Sequence, residues 1–118
     1  MATATSCKRI ERNAVTVRAL QGASSAARTA VMRSAKRDLI MALVDCAKLI
    51  IKSPRYLDGA QLRALGRRAK EIAELIRPKA TLEQRRRVLQ DGGLLGALLG
   101  PLVKGILPNL LGGLLGRR

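Results

Sequence analysis

From Gly92 to Gly116 the chain reads GGLLGALLGPLVKGILPNLLGGLLG, with Lys104 its single formal charge before Arg117 and Arg118. No other stretch limits the fold so strongly, because an exposed apolar surface of this size marks an interaction. As a helix, Leu94 to Leu115 would run about 33 Å, close to the hydrocarbon thickness of a bilayer. Pro101 and Pro108 each remove a backbone donor and kink such a helix, and Lys104 places a charge in its middle. The small and polar residues Gly92, Gly96, Gly100, Lys104, Pro108, Gly112 and Gly116 recur every four positions. Gly92-Gly96-Gly100 and Gly112-Gly116 match the small-xxx-small pattern of closely packed apolar helices. Three fates follow: an interfacial segment facing headgroups, which the sequence favours; a strip buried against the chain or another subunit; or a single-pass anchor. The residues expected to meet membrane or partner are Leu94, Leu95, Leu98, Leu99, Leu102, Ile106, Leu107, Leu110, Leu111 and Leu114.

The remainder has the opposite character. Over 118 residues the net charge is +15, with no histidine, one tyrosine, and neither tryptophan nor phenylalanine. Lacking histidine, the chain has no Ser-His triad, His-based metal site or imidazole switch. Cys7 and Cys46 are too few and too far apart for a zinc cluster or disulfide framework, and read as free thiols in a reducing compartment. One aromatic, Tyr56, makes no stacking platform for single strands. The charge excess instead points to a polyanion, nucleic acid or anionic lipid. No apolar signal-peptide core precedes Cys7-Lys8-Arg9.

Residues 1–35 read as a basic arm, short of apolar residues, that orders on its partner; a loosely docked helix is the alternative, with Val15, Ala19, Gly22 and Ala26 as its face. Residues 36–91 form a basic helical domain. Lys36 to Lys52 predicts the strongest helix, with Asp38 and Asp45 on its solvated face and an apolar face wide enough to require cover. Asp58 caps a second helix, Gly59 to Arg77, which Pro78 stops. Thr81 and Gln84 have capping-box spacing and open a third, Leu82 to Gln90. Residues 92–118 are the apolar tail. The expected fold is all-α: a small helical hairpin or three-helix segment between a flexible arm and a Gly/Leu-rich tail. A core of that size is marginal and gains from the tail, a partner or self-association.

No catalytic residue, metal ligand or cofactor site emerges from the sequence. Asp38 and Asp45 stand two turns apart, too far to share a proton, and Gly92-Gly93 lacks the Lys-Ser/Thr of a phosphate loop. The basic residues are the candidates: Arg63, Arg67 and Lys70 as one helical stripe, the triplet Arg85, Arg86 and Arg87, and Arg33, Lys36 and Arg37 before the first strong helix. They suit duplex DNA phosphates, giving salt-sensitive affinity without sequence choice.

The order of parts from Lys36 to Leu102 resembles the small basic proteins of adenovirus-like elements (adintoviruses and Maverick/Polinton elements), relatives of the adenovirus virion core protein X, or mu. The resemblance rests on Lys36-Arg37-Asp38-Leu39-Ile40, Val44-Asp45-Cys46-Ala47, Gln61-Leu62-Arg63, the Arg-rich run, and Leu89-Gln90-Asp91-Gly92-Gly93-Leu94-Leu95-Gly96-Ala97-Leu98-Leu99. It implies a non-enzymatic virion core or minor capsid protein that helps condense duplex DNA, found in the virion and in the host nucleus during assembly. Its tail would engage a membrane or capsid protein, and Leu110-Leu111-Gly112-Gly113 would fit the cleavage pattern of adenovirus proteases. The competing expectation, from the residues alone, is a cationic membrane-active protein, viroporin-like or lytic, whose basic half binds anionic lipid.

Overall fold

Two helix starts legible in the sequence close as reciprocal caps. Asp58 accepts from the Gln61 backbone N–H at 2.8 Å while Gln61 Oε1 accepts from the Asp58 N–H. Thr81 and Gln84 repeat the exchange, Oγ1 accepting at 3.1 Å and Oε1 at 2.8 Å. Each exchange satisfies two of the donors that a helix start leaves orphaned.

A computed structural model describes residues 4–52, 57–91 and 93–106. The described residues are all-helical: α1 (Ala4–Arg12), α2 (Ala14–Gln21), α3 (Ser25–Ser34), α4 (Arg37–Lys52), α5 (Gly59–Gly66), α6 (Ala69–Ile76), α7 (Leu82–Asp91) and α8 (Leu94–Pro101), then a π-helical turn, Leu102–Ile106. The helix expected from Gly59 to Arg77 is broken. The Arg68 N–H bonds Leu65 O at 2.9 Å, tightening the turn after Gly66, and α6 restarts at Ala69. The break lets α5 lie on α8 while α6 lies on α4 and α7.

Helix α4 is central, packing against α1, α6, α7, α8 and the π-helical turn. Leu39, Ile40, Leu43, Val44, Cys46, Ala47 and Ile50 are all buried, so most of the expected wide apolar face is covered by the chain's own helices, while Ile51 at its end stays exposed. Burial pushes the Cys46 thiol pKa well up, with the neighbouring Asp45 adding to the shift. Asp45 itself does not lie on a solvated face. It is 4% exposed and takes a bidentate contact from Arg9, at 2.7 Å from Nε and 3.3 Å from Nη2. One helical turn later Arg12 meets Asp38, so α1 runs antiparallel along α4. A carboxylate flanked by apolar residues can stay inside only with such a partner.

The N-terminal segment departs from the expected arm. Residues 4–34 form three helices whose Ile10, Ala14, Val17, Leu20 and Met32 enter the same core. The apolar face was also misplaced: Val15 is 81% exposed, because the register runs Ile10-Ala14-Val17-Leu20 across the break at Asn13. Four apolar residues at helical spacing suffice once a larger apolar surface receives them.

That surface is the first half of the tail. Leu94, Leu95, Leu98, Leu99 and Leu102 are buried, and α8 packs on α5 and α2. Each buried leucine contributes roughly 1.5–3 kcal/mol of transfer free energy. Two glycines make room. A Cβ on Gly93 would stand 2.6 Å from Arg68 Nη2, and one on Gly96 would stand 3.1 Å from Arg28 Nη1. Pro101 closes α8 because its ring nitrogen has no proton for the next helical bond. The Leu102 N–H is then shared between the carbonyls of Leu98 and Leu99, and the chain continues as the π-helical turn.

Candidate nucleic-acid interface

The nine cations expected to hold phosphate divide into two kinds. Arg85 and Arg86, both expected at the surface, turn inward. Arg85 is 8% exposed, and its Nη2 donates to Arg77 O at 2.8 Å while Nη1 lies 3.0 Å from Met41 Sδ. Arg86 Nη1 donates to Ala35 O at 2.5 Å and reaches Met32 O and Arg33 O at 3.2 and 3.4 Å. Arg77 follows α6 and Ala35 follows α3, so each arginine closes the C-terminal end of a helix. A helix end leaves carbonyls unpaired and carries negative partial charge, which a guanidinium satisfies twice over. Arg28 does the same for α2, donating to Leu20 O and Gln21 O at 2.8 Å each. Arg87 is exposed but lines a cavity between α6 and α7 together with Glu71, Glu74 and Arg77.

The other six stay outside in two groups. Arg63, Arg67 and Lys70 are exposed around the α5–α6 break. The nearby acids are engaged elsewhere: Glu71 pairs with Arg68 at 3.3 Å, and Glu74 faces the α6–α7 cavity. Arg33, Lys36 and Arg37 are exposed at the corner where α3 hands over to α4. Arg37 is the first residue of α4, the positive end of a helix dipole, where a cation does nothing for helix stability and an anion is welcome. Among the described residues the ion pairs are Arg9–Asp45, Arg12–Asp38, Arg68–Glu71 and Arg86–Glu83; none involves these six.

Of the residues expected to meet membrane or partner, Leu94, Leu95, Leu98, Leu99 and Leu102 are interior. The side chain of Ile106, and Leu107, Leu110, Leu111 and Leu114, lie outside the described residues. No helix among the described residues is long and apolar enough to cross a membrane. None of the described His, Cys, Asp and Glu residues cluster as a metal site. No protein-family model, curated protein or solved structure matches the chain.

Proposed function

We propose that this protein is a non-enzymatic, sequence-independent binder of duplex DNA phosphates, with Arg63, Arg67, Lys70, Arg33, Lys36 and Arg37 as its contacts. The observation that carries the reading is that these six exposed cations have no ion-pair partner among the described residues. Cations grouped around a helix N-terminus and a helix corner hold phosphate by charge and position without reading bases. The resemblance to the small basic proteins of adenovirus-like elements gives the role its setting, a virion core or minor capsid component handled in the host nucleus. The second reading, a lytic protein acting on anionic lipid, is weaker because five of the tail leucines it would insert hold the core together.

The test is duplex affinity against salt for the full chain and for Arg63→Gln/Arg67→Gln/Lys70→Gln, on two unrelated sequences. Each phosphate contact contributes about 0.9 to the slope of log K against log salt, so losing three lowers it by up to about 2.7 on both sequences. An unchanged slope in a folded variant rejects this face as the site.

A further inference from the structure

Between the last turn of α4 and the α5–α6 pair lies a groove of about 380 Å³ with no charged residue in its lining. Leu65 and Ile72 are buried at its floor, while Ile51 and Leu62, at 51% and 47% exposed, form its lips. Both banks are basic. Lys48 and Lys52 stand three positions before and one after Ile51 on α4; Arg63 follows Leu62, and Lys70 sits three before Ala73 of the lining. All four are exposed and outside every ion pair among the described residues. The acids nearest in sequence to the lining are engaged: Asp58 caps α5, Glu71 pairs with Arg68, and Glu74 lines the α6–α7 cavity.

We infer that this groove is a docking site for an amphipathic helix of another protein, with an apolar spine and carboxylates along both flanks. An apolar trough between cationic banks calls for apolar contact along its length and negative charge on either side. A second copy of the chain, at +15, meets the banks with like charge. The chain's own residues 107–118 bring Arg117 and Arg118 and no acidic side chain. A flat bilayer would rest on Ile51 and Leu62 and leave the floor uncovered. The inference stands apart from the DNA reading, although Arg63 and Lys70 serve both.

The test uses fluorescein-labelled helical peptides of about four turns with leucine at i, i+3, i+4 and i+7, a spacing that presents one apolar stripe. One carries glutamate on both flanks, one lysine, and one is a scramble of the glutamate peptide. Anisotropy with the full-length protein should show the patterned glutamate peptide binding at least about tenfold more tightly than the scramble, which controls for attraction to net charge. Leu62→Asp should remove that advantage with the circular dichroism melt unchanged, Ile51→Asp being the second variant should the first unfold. Lys52→Glu/Lys70→Glu should shift preference toward the lysine peptide. Equal binding of the scramble, or insensitivity of a folded lip variant, overturns the inference. So does self-association abolished by Leu62→Asp, peptide binding seen only in a chain ending at Ile106, or lip-dependent binding of anionic vesicles in place of the peptide.

Discussion

Arg86 on α7 and Arg67 at the α5–α6 break have the same side chain in one small domain, yet they face opposite ways. On α7, Arg85 and Arg86 spend their donors on carbonyls at the ends of α6 and α3. At the α5–α6 break, Arg63, Arg67 and Lys70 are exposed and outside every ion pair among the described residues. The difference is set by what each helix packs against. Helix α7 lies on α3 and α6, whose C-terminal ends need donors, whereas Arg63, Arg67 and Lys70 stand exposed around the α5–α6 break. Positive charge in this protein is thus partly internal cement and partly open surface, and the two shares should respond to different perturbations.

Mutation can pull them apart. The largest effect is expected at the buried pair: Asp45→Ala strands the Arg9 charge and should cost about 3–5 kcal/mol in urea denaturation. Leu98→Ala, which opens a cavity beneath α8, should cost about 2–5 kcal/mol by the same assay. Arg86→Ala loses the bonds that close α3 and should cost about 1.5–3 kcal/mol, since one partner there is charged. Its DNA salt slope should stay as in the wild-type chain while the fold holds. The outer triple variant Arg63→Gln/Arg67→Gln/Lys70→Gln should do the reverse, moving stability by no more than about 0.5 kcal/mol. If Arg86→Ala instead flattened the salt slope, the division between inner and outer arginines would fail.

The smallest effect concerns Asp38. Hydrogen bonds from Arg12 and then Asn13 hold its carboxyl below the usual carboxylate range. A group depressed on folding stabilises the fold above its unfolded pKa, near 3.9, and that contribution fades as pH falls through the folded value. Asp38→Asn should therefore abolish a shallow acid-side decline in stability, visible in urea midpoints taken at successive pH values.

Local chemistry was legible in the sequence. The caps at Asp58 and Thr81, the stop before Pro78, the extent of α4 and its need for cover all follow from spacings of a few residues. What was not legible depends on partners far along the chain. Nothing near Asp45 announces Arg9, 36 positions away, and nothing in the Arg85-Arg86-Arg87 triplet shows that Arg86 meets Ala35, 51 positions away. The break at Arg67–Arg68 had one local cue, Gly66, which costs only about 1 kcal/mol in a helix interior; the rest of the cause is tertiary, since α5 and α6 answer to different neighbours. For the same reason a segment as poor in apolar residues as 4–34 read as an arm, when its few apolar side chains are received by leucines from the other end of the chain.

That meeting of the two ends has a consequence for how the protein is made. A ribosome delivers Ile10, Val17 and Leu20 long before Leu94, Leu98 and Leu102, at roughly 5–20 residues per second. Until those leucines emerge, α2 lacks the helix that covers it, and the nascent chain exposes apolar surface beside dense positive charge. Folding is therefore expected to wait until Leu94 to Leu102 have been made, and a product cut short before Leu94 should be a substrate for chaperones or proteases. Built this way, the leucines of α8 act as a late check on the helices made before them.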